Sequence, residues 1–200
     1  MAKVVIVSRT KMKNGVCCGG FNLETGEFIR LHTAKGANLP VEAPYNVGQV
    51  YDLKYKTAWN PRPKPHVEDK QVFSGEYIKQ LSTIELRQAI INNCPVLEGD
   101  LSSVFQGFLK PDKYAMYIGQ NAVPEYSVCF WRPNAPLKLV NFMGKPRYYF
   151  NGQYISFVGF QSPVNVIPAG TLVRLSLANW WSPDGNPKNL RCYLQISGWY

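Results

Sequence analysis

Hydrophobic and polar residues alternate along most of this chain with a period of two, the signature of strands. Residues 4–7 are a β-branched apolar run that predicts a buried first strand ending in Ser8-Arg9-Thr10. Residues 11–15 read as a polar turn. Residues 16–22 predict a second strand, in which Gly19 and Gly20 mark a bulge or a close backbone approach. After the Thr25-Gly26 turn, residues 27–32 place Phe28, Arg30 and His32 on one face. Residues 48–56 set Tyr51, Leu53 and Tyr55 against Asp52, Lys54 and Lys56. The prolines of residues 60–65 predict an extended loop, followed by a short strand over residues 71–73. Ser82 with Glu85 has the form of a capping box and opens a helix over residues 83–92. Its apolar residues Ile84, Leu86, Ala89, Ile90 and Ile91 do not share one stripe, which predicts a helix buried on two sides and wedged between β units. Residues 94–124 show no clear period.

The last third returns to period two. Residues 126–132, 137–143, 148–150, 153–160, 171–178 and 190–200 read as strands, and Asn151-Gly152 is suited to a two-residue type I′ hairpin turn. With no helices of the kind that connect parallel strands, this pattern predicts a small barrel or sandwich. Two β-rich segments flanking one helix give a mainly β chain of two small units.

Composition sharpens this picture in the same region. The chain carries 22 basic and 13 acidic residues, a formal net charge of +9, which favours polyanionic partners. From residue 126 onward Asp184 is the only acid, and that stretch holds Arg132, Lys138, Lys145, Arg147, Arg174, Lys188 and Arg191 together with many of the aromatic rings. The five cysteines, one adjacent pair and no C-x-x-C, match neither a disulfide framework nor a zinc pattern. They read as core thiols in a reducing cytoplasm. The N-terminal apolar run is too short for a signal-peptide core and no stretch approaches a membrane span, so no membrane partner is expected.

Candidate chemistry follows from strand periodicity. In the final strand Cys192, Leu194 and Ile196 make a core face, while Arg191, Tyr193, Gln195, Ser197 and Trp199 make a mixed face suited to stacking bases and holding a phosphate. By the same count Arg174 and Ser176 face outward. Trp180 and Trp181 begin a turn, where packing at the end of a barrel explains the pair better than a stacking platform does. Arg9, Lys11 and Lys13 would make a phosphate-contacting rim. His66 and Glu68 point the same way at period two and, with Asp69, are the sharpest candidates for a metal or catalytic centre, although a closed site needs further ligands. Nucleophile-elbow, P-loop and dinucleotide-binding motifs are absent, and no cofactor is expected.

The order of several short segments resembles the prokaryotic dual-OB-domain family: Val4-Val5-Ile6-Val7 with Arg9, Cys18-Gly19-Gly20, residues 25–30, residues 65–69, residues 174–178 and residues 191–200. The resemblance spans nearly the whole chain. It implies a mainly β fold of two small OB-like β-barrels with an intervening helix, and a nucleic-acid-related role in bacteria, within anti-phage or other conflict systems. The expected division is residues 1–120, containing the helix at 83–92, and residues 121–200. The leading expectation is a module that binds single-stranded DNA or RNA through Arg174, Arg191, Tyr193 and Trp199 in the second barrel and Arg9, Lys11, Arg30 and His66 in the first. The alternatives are a metal-dependent hydrolase centred on His66, Glu68 and Asp69, and a protein-interaction subunit of a larger complex.

Overall fold

Alternation along the first 80 residues builds five strands: β1 (Ala2–Lys11), β2 (Val16–Asn22), β3 (Phe28–His32), β4 (Gln49–Thr57) and β5 (Asp69–Gln80). In the computed structural model, which describes all residues except 59–61, 114 and 143, these strands close into a barrel of order β1-β2-β3-β5-β4. Asn60 and Pro61 of the expected loop, and Met143 of an expected strand, lie outside the described residues. The β1, β2 and β3 strands form an antiparallel meander, β3 runs parallel to β5, and residues 2–5 of β1 return to pair with β4. Val4, Ile6, Ile29, Leu31, Tyr51 and Leu53 fill the interior. The Gly19-Gly20 pair sits opposite a bulge between Ile6 and Ser8, and a Cβ on Gly20 would lie 2.5 Å from the Val5 carbonyl oxygen.

The helix α1 (Thr83–Asn93) starts at the expected capping box, with Ser82 and Glu85 each accepting from the other's backbone N–H. It buries Leu86 and Ile90, one turn apart, and leaves Ile84 82% exposed and Ile91 partly exposed. The expectation of two buried faces is therefore corrected: one stripe is buried, and the surplus isoleucines lie outside it.

Residues 96–199 form the second unit together with Lys64–His66, while Met1–Pro63, Val67–Pro95 and Tyr200 form the first. The units meet at Pro95 and Val96, because the segment without clear period pairs its strands within the second unit. These are β6 (Val96–Gly99), β7 (Lys110–Pro111) and β8 (Met116–Gly119). They are followed by β9 (Val128–Pro133), β10 (Leu137–Phe142), β11 (Lys145–Phe150), β12 (Gln153–Phe157), β13 (Val166–Ile167), β14 (Val173–Leu177) and β15 (Arg191–Trp199). The sheet runs β13-β10-β11-β12-β15-β14-β9-β6, and β8 pairs with the first residues of β15.

The second sheet repeats the logic of the first. The β10, β11 and β12 strands form an antiparallel meander, β12 runs parallel to β15, and β14 lies beyond it. In the first unit one strand, β1, pairs with both β2 and β4. In the second unit that task is divided: β9 pairs with β14 and β10 pairs with β11, with Asn134-Ala135-Pro136 interrupting the strand. Asn151 and Gly152, with φ of 44° and 87°, form the expected two-residue turn between β11 and β12. Trp131, Phe150, Leu175, Cys192, Leu194 and Ile196 belong to the core, and the Trp131 indole N–H donates to the Gly99 carbonyl at 3.1 Å. Both units thus follow the OB arrangement, in which ligands commonly occupy the second and third strands between the 1–2 and 4–5 loops.

Candidate functional site

The outward face of the second unit is ordered by strand register. Val140, Arg147, Ser156, Gln195 and Ser176 stand in one row across β10, β11, β12, β15 and β14. Arg147, Ser156 and Gln195 of this row line a cleft of 470 Å³. Phe142 closes it at the loop between β10 and β11, and Ala178, Asn179 and Trp181 close it at the loop between β14 and β15. These are the positions of the 1–2 and 4–5 loops of an OB barrel. Asp112, Lys113 and Ala115, from the turn of the β7–β8 hairpin, add a further wall.

Phe142, Trp181 and Tyr193 line this cleft, and each has ring neighbours. On one side Phe142 stacks on Tyr154 with centroids 5.0 Å apart, and Tyr154 meets Tyr149 at 5.3 Å. On the other, Trp181 lies 6.1 Å from Tyr193, which lies 6.0 Å from Tyr117. Trp181 is 57% exposed, whereas Trp180 packs partly buried against the core and donates its indole N–H to the Lys64 carbonyl. Packing therefore accounts for Trp180 and not for Trp181. The loop carrying them is braced by Asp184, which accepts from Ser182 Oγ, the Asn186 N–H and Asn189 Nδ2. The bond from Asn189 does most, with those from Asn186 and Ser182, to hold the Asp184 carboxyl at about 2.

The cations of this face are in different states. Arg191 donates to Asp112 Oδ2 at 2.8 Å, to Tyr193 Oη at 3.3 Å and to Asn189 Oδ1 at 3.1 Å, and stacks 4.4 Å from the Tyr117 ring. Arg147 stacks 4.8 Å from the Phe142 ring, makes no ion pair among the described residues, and has a buried Nε without a hydrogen-bond acceptor. Sequence reading counted Arg147 among the basic residues without selecting it. Its signal was the register across the Asn151-Gly152 hairpin, which aligns it with Ser156 and, through β12, with Gln195.

Other expected site residues are committed elsewhere. Arg174 does not face outward into solvent; it is 5% exposed, and its guanidinium donates to Ser197 Oγ at 2.8 Å. Trp199 packs against Tyr148 and Phe157 at the far end of β15. Tyr193 remains on the cleft, its hydroxyl donating to Asp112. Arg9 holds the loop before β4 by donating to the Val41, Ala43 and Tyr45 carbonyls and to Asn46 Oδ1. Lys11 is exposed at the end of β1. His66 is buried, with Nε2 3.1 Å from the Ala178 carbonyl oxygen and 3.7 Å from Cys192 Sγ.

On the matching parallel ladder of the first unit, Arg30 and Asp69 take the places of Ser156 and Gln195. Arg30 Nε bonds to Asp69 Oδ1, His32 Nε2 lies 3.1 Å from the same oxygen, and Arg62 Nε lies 3.2 Å from Oδ2. Burial pushes the Asp69 carboxyl up, but the His32 contact and the Arg30 guanidinium outweigh it and hold the group at about 2. This face is sealed by its own ion pairs. Asp69 is thereby committed to cations, and no three His, Cys, Asp or Glu side chains cluster to hold a metal among the described residues. Four of the thiols, Cys18, Cys94, Cys129 and Cys192, are buried, and burial pushes Cys18 and Cys192 up to about 12, away from nucleophilic chemistry. Among the described residues no helix is long and apolar enough to cross a membrane.

The fold is that of a tandem OB protein with an open cleft on its second unit. Residues 2–199 match the family model of the dual OB-containing domain, and the chain belongs to that family. No curated protein matches it. Among solved structures it is similar to the crystal structure of the Ifi202 HINa domain in complex with 20-bp double-stranded DNA. The identity is 11% and the TM-score 0.33, over 98% of this chain and 94% of that one.

Proposed function

We propose that the second unit binds single-stranded nucleic acid in the cleft between the β10–β11 and β14–β15 loops. The observation that carries this reading is the coincidence of three things in one place. The OB ligand face is open, the rings of Trp181 and Phe142 flank it, and Arg147 stands there with no carboxylate partner among the described residues. Unpaired bases offer π-faces to Trp181 and Phe142, which a paired duplex keeps stacked inside, and a phosphate satisfies the guanidinium of Arg147. Arg191, already paired with Asp112, serves to hold the β7–β8 hairpin against Tyr193.

Fluorescence anisotropy with labelled single strands of DNA and RNA at two salt concentrations tests this. Binding weakens as salt rises, because phosphate contacts release counterions. Trp181→Ala costs about tenfold in affinity, the loss of one stacked base. Arg147→Ala weakens binding to all sequences and lowers the salt slope by about one. Undetectable binding at low salt would sink the proposal, as would an affinity indifferent to salt.

A further inference from the structure

Resting on that reading, we infer that Gln195 reads the edge of one base, giving the cleft a preference for adenine. Gln195 lies at the centre of the polar row, with Ser156 beside it on β12 and Ser176 on β14. Ser156 and Gln195 are both partly buried on the cleft floor, and no hydrogen bond within the described residues engages either side chain. A structural role would tie such groups to neighbours, as Asp184 and Arg9 are tied. On the floor of an aromatic-walled cleft they are placed to meet a ligand.

Register supplies the spacing. Arg147 is two strands from Gln195, about 10 Å across the sheet, which is the scale separating a nucleotide's phosphate from the far edge of its base. A phosphate at Arg147 with its ring beside Trp181 or Phe142 puts that edge over the Ser156–Gln195 pair. The carboxamide offers one donor and one acceptor side by side, which match the amino group and adjacent ring nitrogen of adenine in a bidentate pair. A purine also presents more π-surface to the walls than a pyrimidine does. Residue 195 is a specificity position, distinct from the rings and the cation that supply affinity.

The test uses the full chain and labelled oligothymidine or oligouridine carrying one central adenine, cytosine or guanine, with the unsubstituted strands as reference. One adenine raises affinity by about tenfold over the reference strand. Gln195→Ala abolishes that advantage, so that the adenine-bearing strand and the reference strand bind the variant alike. Gln195→Glu, which keeps the shape and loses the amide donor, moves the preference toward cytosine. Circular dichroism confirms that both variants keep the wild-type fold. Equal affinity for all central bases overturns the inference and leaves the binding function standing, as does an adenine preference that survives Gln195→Ala. Failure of every strand to bind overturns the binding function itself, and the inference with it.

Discussion

Arg147 and Arg191 each stack on an aromatic ring, and of the two, among the described residues, Arg191 meets a carboxylate, that of Asp112. Composition counts the two alike, so the distinction was invisible in the sequence: Asp112 lies 79 positions from Arg191 in a segment without readable period. The same blindness affects Asp69, which with His66 and Glu68 reads as a candidate metal or catalytic centre and stands at the centre of an ion cluster with Arg30, His32 and Arg62. Asp69→Asn leaves two guanidinium groups without their counter-charge and destabilises the protein by about 3 kcal/mol near neutral pH. The Asp69 carboxyl sits at about 2, below its unfolded value near 3.8. Its stabilisation is therefore complete above the unfolded value and disappears as pH falls through the folded one. Thermal denaturation of wild type and Asp69→Asn shows a gap in Tm that narrows between about pH 5 and pH 2.

At the scale of elements, local chemistry was readable wherever it was self-contained. The Ser82–Glu85 box, the Asn151-Gly152 turn and the alternation of Cys192, Leu194 and Ile196 all stand where the residues place them. Ser82→Ala removes the acceptor for the Glu85 N–H and half of the box, and chemical denaturation registers a loss of about 1 kcal/mol. Elements defined by distant partners were shortened or missed. The sequence reading of β5 stops at Phe73, since Ser74, Gly75 and Glu76 break the apolar pattern. The strand continues to Gln80 because β4 supplies its hydrogen bonds along the whole length. The β8 strand has four residues and exists by pairing with β15, more than 70 positions later. Arg174 was misplaced for a related reason: period two gives the face on which a side chain stands, but not whether that face is covered.

For the whole molecule, two units of one architecture present opposite surfaces at equivalent positions. The first unit seals its parallel ladder with Arg30 and Asp69, and the second leaves Ser156 and Gln195 open. The binding proposed above therefore belongs to the second unit. Lys11→Ala changes affinity for single strands by no more than about twofold, against about tenfold for Trp181→Ala, in side-by-side anisotropy titrations. A greater loss from Lys11→Ala than from Trp181→Ala would move the site to the first unit. The sequence by itself determined the mainly β class, the helix and its cap, the hairpin turn, the core face of β15 and membership of the dual-OB pattern. Each of these rests on spacing between neighbours or on the order of short motifs. Tertiary structure decided which charges are neutralised, which of two adjacent tryptophans is exposed, and which strands share a register. Those properties depend on groups brought together from far along the chain, and a period of two carries no information about what lies opposite.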